Sequence, residues 1–180
     1  MPFLRTFNSE PLPIAMCGVR MGERALQIGI DDPALLGGLA VKVGLSGHAA
    51  VAVTDDTAAE KARAAAAQSG AFVDVHVTAM HALPFPADSF DAVVLHAVTG
   101  TLPPLDGEAG LVMLREARRV LRAGGRMVVL EKGQSRQTWF RGRPPQPQSS
   151  ATATVLGNAG FRAARPLADR EGYSFTEGLK

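Results

Sequence analysis

An α/β fold with a mostly parallel sheet is predicted by three observations on this sequence. Short apolar runs of strand length alternate with helical patterns over the first five runs. These runs are apolar at nearly every position, which is typical of strands buried on both faces of a sheet. A helical pattern follows most of them, and right-handed crossovers would place the helices on both faces.

The order of the elements follows from these patterns. Strands are predicted over residues 25–30, 49–53, 71–77, 90–97 and 127–130, with two more near 161–167 and 173–177. Helices are predicted over residues 33–43, 58–68, 111–121 and 151–158. The last two strands read as a hairpin that adds an antiparallel member to the sheet. Residues 1–23 are predicted to be an irregular arm or a short helix before one domain over 24–180.

Several helix ends carry specific signals. Asp32 suits an N-cap and Pro33 suits the first helical position after it. Gly44 and Gly70 are predicted to end the first two of these helices. The pair Gly124 and Gly125 is predicted to end the amphipathic helix that begins near Leu111.

Composition narrows the function classes. The 180 residues are 46% hydrophobic and 20% charged, which argues against disorder of the whole chain. The net charge of +2 gives no nucleic-acid signature, so no such partner is predicted. The single cysteine, Cys17, can form neither an internal disulfide nor a metal cluster, so no metal site is predicted. No run is long enough to span a bilayer and no signal peptide is recognised, so a cytoplasmic location is expected.

Two stretches carry a resemblance to a known family. Residues 83–94 read LPFPADSFDAVV, and residues 115–126 read REARRVLRAGGR. Both resemble stretches of the class I S-adenosylmethionine (SAM)-dependent methyltransferases, in particular the small-molecule branch. The resemblance covers about residues 24–178. It implies a Rossmann-like three-layer α/β/α sandwich with a mostly parallel seven-stranded sheet and one antiparallel strand near the C-terminus.

The loop after the first strand departs from the family pattern. The family has an acidic residue followed by Gly-x-Gly-x-Gly, where this chain has Gln27 and then Gly29, with Asp31 and Asp32 further on. The resemblance implies that these four residues lie at the methionyl end of SAM. The two carboxylates could pair with its ammonium group and would repel its carboxylate. Asp32 is equally explained as a helix cap.

The next two loops supply the other candidate cofactor contacts. Asp55 is predicted to hydrogen-bond the ribose hydroxyls, with Asp56 as the competing candidate and helix capping as the alternative for either. The family commonly has an Asp that touches the adenine amino group, and its position falls at Ala79 here. Met80 could still pack against the adenine, although methionine more often fills a core.

Histidines give the candidate acid–base groups. His96 ends the fourth strand at the substrate-facing position of the family, so it is the candidate catalytic residue and a cofactor neighbour. His81, on the neighbouring loop, is the second choice, and a structural role is the alternative for both. The loop 134–150 combines arginines with Trp139 and Phe140, which suits an anion or nucleic-acid contact, a lid over the pocket or a plain solvated loop, although the segment is too short to predict a nucleic-acid partner.

Three functions remain open from the sequence. The first is methyl transfer from SAM to an unidentified small acceptor. The second is a catalytically inactive relative that serves as a binding or assembly module with a protein partner, because the first acidic residue, two loop glycines and the adenine-side Asp are missing together. The third is a different ligand of cationic character, selected by Asp31 and Asp32.

Overall fold

The computed structural model describes residues 10–133 and 148–180. Its strands are β1 (Arg24–Ile28), β2 (His48–Val53), β3 (Asp74–Val77), β4 (Phe90–Ala97), β5 (Leu121–Lys132), β6 (Arg162–Arg170) and β7 (Tyr173–Leu179). Its helices are α1 (Leu12–Met16), α2 (Pro33–Val43), α3 (Asp56–Ser69), α4 (Glu108–Val120) and α5 (Gln148–Asn158).

The strands form one mixed sheet in the order β3-β2-β1-β4-β5-β7-β6. Strands β1 to β5 pair in parallel, and β7 runs antiparallel to both β5 and β6. The strand order reverses between β1 and β4, which is the switch point where open α/β sheets bind ligands. The predicted fold class and the antiparallel member near the C-terminus are confirmed.

Apolar side chains on alternate strand positions build a core on each face of the sheet. On one face, Leu26 and Ile28 of β1 share a cluster with Leu114 of α4 and Leu156 of α5. On the other face, Ala25 packs with α1 and α2, and a separate cluster joins α2 and α3 to β2. Helices α1 to α3 therefore cover one face, and α4 with α5 covers the other.

The predicted helix caps on α2 and α3 are confirmed. Asp32 accepts the backbone N–H of Ala34 at 2.9 Å with Pro33 behind it, and Gly44 follows the end of α2. Gly70 ends α3 in a left-handed conformation with φ of 66°. Asp32 thus fixes where α2 begins at the switch-point edge of the sheet, and Gly44 and Gly70 fix where α2 and α3 end.

Several predicted boundaries were wrong. Strand β3 begins only at Asp74, because residues 71–73 return from the end of α3 before the chain reaches the sheet edge. Helix α4 ends at Val120, and Gly124 and Gly125 lie within β5, where the register against β4 is interrupted. Helix α5 begins at Gln148, so residues 148–150 are helical. The rest of the predicted loop, including Trp139 and Phe140, lies outside the described residues.

The segment before β1 contributes to the core. Helix α1 packs on α2, and Ile14, Cys17 and Val19 are buried. The boundary at residue 23 remains a prediction, but the described part of this arm shares a cluster with α2. Among the described residues, no helix combines the length and the apolar character that crossing a bilayer requires.

Candidate functional site

A crevice lies at the carboxyl ends of the parallel strands, at the switch point. Two neighbouring cavities form it, and they share Thr54, Thr101 and Leu102. The smaller, of about 190 Å³, lies over Gly29 between β1 and the start of α3. The larger is an open groove of about 1000 Å³, at the upper end of the usual size of ligand pockets. Another cavity, of about 340 Å³, lies by the amino ends of β2 and β3, away from the switch point.

The turn after β1 brings Gln27 and Gly29 together. Gly29 has a φ of +79°, and a Cβ built there would lie 2.9 Å from the carbonyl oxygen of His96 and 3.0 Å from the Leu102 side chain. The Gln27 amide donates to the carbonyl oxygen of Gly29 at 2.8 Å. Its other atom, Oε1, is buried without a protein partner. This turn therefore needs glycine and presents one unsatisfied acceptor beside it.

Asp31 is engaged by the segment after β4, which we call the post-β4 segment (residues 98–102). Its carboxylate accepts the backbone N–H of Val98 at 2.6 Å and that of Thr99 at 2.9 Å. The hydroxyls of Thr99 and Thr101 donate to the same carboxylate. Burial opposes ionisation, but these hydrogen bonds outweigh it and hold the pKa of Asp31 below its ordinary value.

His96 lies under the same turn. Its side chain is 1% exposed, and Nδ1 accepts the backbone N–H of Asp31 in a long contact of 3.4 Å. Burial lowers the pKa of His96, while the nearby charges of Asp31 and Asp32 partly oppose that shift. The ring is therefore neutral at physiological pH. In this position it supports the backbone of the turn and does not line either cavity of the crevice.

Asp55 lines the smaller cavity and also caps α3. One carboxylate oxygen accepts the backbone N–H of Ala58 and the other accepts the Thr54 hydroxyl, both at 2.9 Å. These two hydrogen bonds, that from Ala58 first, lower the pKa of Asp55. Lys61 lines the same cavity, whereas Asp56 is exposed at the first position of α3. The capping alternative is realised by Asp55, and its carboxylate still faces a cavity.

The larger groove holds the remaining predicted residues. Ala79, Met80 and His81 line one side, and the first turn of α4 lines another with Glu108. Met80 is 6% exposed and belongs to the core cluster, so only its edge faces the groove. His81 is exposed, and with Glu108 it supplies the titratable side chains of the groove among the described residues.

The predicted site residues thus divide into four groups. Gln27, Gly29, Asp31 and His96 meet around the β1–α2 turn, Asp55 faces the smaller cavity, and Ala79 with Met80 faces the larger. Asp32 and Asp56 point to solvent at helix starts. Sequence reasoning missed the post-β4 segment and Lys61. The sequence did hold a signal for the post-β4 segment. Asp31 stands where the family has a loop glycine, its carboxylate requires hydrogen-bond donors, and Thr99 and Thr101 carry hydroxyl groups that can donate.

The sheet order and the crevice at its switch point are those of the class I methyltransferase fold. The chain belongs to the methyltransferase domain family, whose model matches residues 35–129. It therefore contains a SAM-dependent methyltransferase domain, and the resemblance expected from residues 83–94 and 115–126 is confirmed.

Similar proteins of known name include methyltransferases. The chain is 32% identical over 116 residues to the ubiquinone/menaquinone biosynthesis C-methyltransferase UbiE of Vibrio vulnificus, a match that covers 63% of this chain and 43% of UbiE. The match thus spans less than half of that relative. A SAM-dependent methyltransferase from Aquifex aeolicus superposes with a TM-score of 0.72 at 17% identity, over 92% of this chain and 86% of that one. PigF with SAH superposes with a TM-score of 0.65 at 18% identity, over 87% and 50%.

The described residues fit SAM unequally along its length. At the nucleoside end, Asp55 offers a carboxylate to hydroxyl groups and Met80 an apolar wall, beside open volume. At the methionyl end, Gly29 keeps the backbone close and the Gln27 acceptor is unpaired, but Leu102 packs directly over the glycine. At the methionyl end the space beside Gly29 is thus narrowed by Leu102.

Proposed function

We propose that this chain transfers a methyl group from SAM to a small acceptor bound in the larger groove. The observation that carries this proposal is the crevice at the switch point of a methyltransferase domain, with Gly29 at its floor. Asp55 would hold the ribose, Met80 would pack on the adenine, and the turn at Gly29 would receive the methionyl end. When bound, SAM supplies an electrophilic methyl group on its sulfonium.

The chain's own contribution is positioning. The part of the larger groove that an adenine at Met80 would leave free can hold an acceptor in line with the methyl group. His96 is buried under the β1–α2 turn, which favours a structural role for it over proton transfer. His81 and Glu108 line the groove, so they are the groups that we propose to take a proton from the acceptor.

Binding of S-adenosylhomocysteine tests the site by isothermal titration. We expect Asp55→Ala and Gly29→Val to weaken binding at least about tenfold. Asp55→Ala removes roughly one charge-assisted hydrogen bond to the ribose, and Gly29→Val places a side chain in the space that the ligand needs. Asp56→Ala is the matched control, since this neighbouring carboxylate does not line the cavity. Circular dichroism establishes that each variant folds.

The outcomes separate the proposal from its rivals. Variants that fold and bind like the wild type would mean that the site is misplaced. A wild type that binds no S-adenosylhomocysteine at millimolar concentration would refute SAM-dependent transfer. Label moving from methyl-labelled SAM into a small-molecule pool would support the enzyme directly.

A second candidate is a non-catalytic module. It is favoured by the closure at the methionyl end, where Asp31 binds the post-β4 segment and Leu102 covers Gly29. In such a protein the post-β4 segment would stay over Gly29 and the surface would act as a binding platform. Titration of the wild type and of Asp31→Gly, which lacks the carboxylate that holds the post-β4 segment, decides, because this candidate requires that neither protein binds S-adenosylhomocysteine.

A further inference from the structure

We propose that Asp31 is a specificity-determining residue that competes with the ligand's own carboxylate and holds the post-β4 segment closed over the methionyl end of the site. The inference rests on the proposed function for where the ligand's tail lies. It concerns a residue that stands where the family pattern has a loop glycine, so the side chain itself is what differs here.

The contacts of Asp31 form a complete anion site within the chain. Two consecutive backbone N–H groups, of Val98 and Thr99, converge on one carboxylate oxygen at 2.6 and 2.9 Å. The hydroxyls of Thr99 and Thr101 donate to the other oxygen. Hydrogen bonds to an ionised acceptor are among the stronger ones in proteins, so this contact favours the closed segment.

Closure narrows the room for a ligand tail beside Gly29, at the side of the smaller cavity that Leu102 lines. Leu102, at the end of the closed segment, is 7% exposed, and its Cδ1 lies 3.0 Å from a Cβ built on Gly29. The space farther from Gly29 is less restricted, since the Asp55 side of the smaller cavity and the groove by Met80 stay open. The closed state thus discriminates between the two halves of an adenosyl ligand.

Charge adds to this discrimination. An amino-acid tail brings a carboxylate toward the turn that already holds the ionised Asp31, and two like charges at one donor set repel each other. A nucleoside that ends in a neutral methylthio group brings no such charge. The structure therefore assigns to Asp31 a penalty on tail-bearing ligands, which lowers their apparent affinity by the fraction of molecules with the segment open.

The test compares two nucleosides on matched variants. S-adenosylhomocysteine carries the amino-acid tail and 5′-methylthioadenosine lacks it, and the ratio of their affinities is measured by titration. Asp31→Asn removes the charge while it keeps the shape, and Asp31→Gly removes the whole side chain. Asp32→Asn is the control, because it removes the adjacent charge and asparagine still caps a helix.

We expect both Asp31 variants to raise the affinity for S-adenosylhomocysteine relative to 5′-methylthioadenosine by at least about tenfold. The control should leave that ratio within about twofold of the wild type. Thr101→Val, which removes one donor to Asp31, should change the ratio in the same direction by a smaller factor. A ratio that stays within twofold in Asp31→Asn, or that falls, would overturn the proposal.

Hydrogen exchange provides a readout that needs no ligand. The amides of Val98 and Thr99 should exchange at least about tenfold faster in Asp31→Asn than in the wild type, because their acceptor is weakened. Exchange in β4 should stay unchanged. If no variant binds either nucleoside, the proposed function fails. Faster exchange confined to residues 98–102 would still show that Asp31 holds the post-β4 segment closed. Unchanged exchange there would refute it.

Discussion

The carboxylate of Glu116 accepts the backbone N–H of Leu83 at 3.1 Å, although the two residues lie 33 positions apart. Arg119, one turn further along α4, pairs with that carboxylate and donates to the carbonyl oxygens of Leu83 at 3.0 Å and Phe85 at 2.9 Å. The two stretches that resemble the methyltransferase family are thus bound to each other. The two stretches occur together because Glu116 and Arg119 of α4 bind the backbone of Leu83 and Phe85 in the turn that leads into β4; we call this set of contacts the clamp.

Replacing Arg119 tests this clamp. Arg119→Lys keeps the charge but cannot serve two carbonyl oxygens and a carboxylate together, since lysine lacks the planar fork. We expect a loss of about 1–2 kcal/mol in the free energy of unfolding, a modest figure because the side chain is partly exposed. Urea denaturation measures it.

The control for Arg119 lies on the same helix. Arg115 is exposed, so Arg115→Lys should change the free energy of unfolding by less than about 0.5 kcal/mol. Equal losses in the two variants would show that helix propensity, rather than the clamp, sets the cost.

The fold could be predicted because burial leaves a strong pattern. A strand such as β4 is apolar along almost its whole length, and α4 repeats its apolar residues at helical spacing. The helix caps could be predicted as well, because Asp32 can accept a hydrogen bond from the first turn of α2 and Gly70 can adopt the left-handed conformation that ends α3. The Gly124–Gly125 pair misled the prediction, since local propensity favours a helix end where the sheet register instead places β5.

The site was less predictable because its contacts are not local. Asp31 meets Val98 across 67 positions, and nothing near either residue specifies that pairing. His96 ends the predicted strand as expected, but whether its ring faces a groove or the underside of a turn depends on packing.

The single cysteine reports on the packing of α1. Cys17 is fully buried, and burial raises its pKa to about 12. Because the thiolate is the reactive species, we expect a thiol reagent at pH 8 to label the native protein at least about 100-fold more slowly than the protein in urea. Fast labelling of the native protein would indicate that α1 separates readily from α2.

Protonation of His96 should weaken the fold in mild acid. Burial lowers the pKa of His96, so the native state binds fewer protons than the unfolded state once the pH falls below about 6.5. The free energy of unfolding should therefore decrease from pH 7 to pH 5.5. His96→Asn, whose amide oxygen can take the place of Nδ1, should be less stable at pH 7 by about 1–2 kcal/mol but should show a flatter profile. An unaltered slope would assign the acid sensitivity to other groups.

Glu131 should change the free energy of unfolding with pH in the direction opposite to His96. It lies at the end of β5, 9% exposed, where the Thr152 hydroxyl and the Gln148 amide donate to its carboxylate. Burial raises the pKa of Glu131 despite these two hydrogen bonds. The native state thus holds its proton more tightly than the unfolded state, and the associated stability is present below pH 4.5 and lost as the pH rises through the folded pKa.

Glu131→Gln should therefore stabilise the protein at neutral and alkaline pH. The glutamine is uncharged and keeps the shape; its carbonyl oxygen can still accept from the Thr152 hydroxyl, and its amide can donate to the Gln148 side-chain oxygen after a flip of that amide. We expect the melting temperature at pH 8 to rise by about 2–4 °C, the effect of roughly 1 kcal/mol in a chain of this size. The difference between the two proteins should shrink as the pH is lowered toward 4.5, because the raised pKa leaves a growing fraction of the wild-type side chain neutral. A variant that is less stable at both pH values would mean that the ionised carboxylate is needed to join α5 to the sheet.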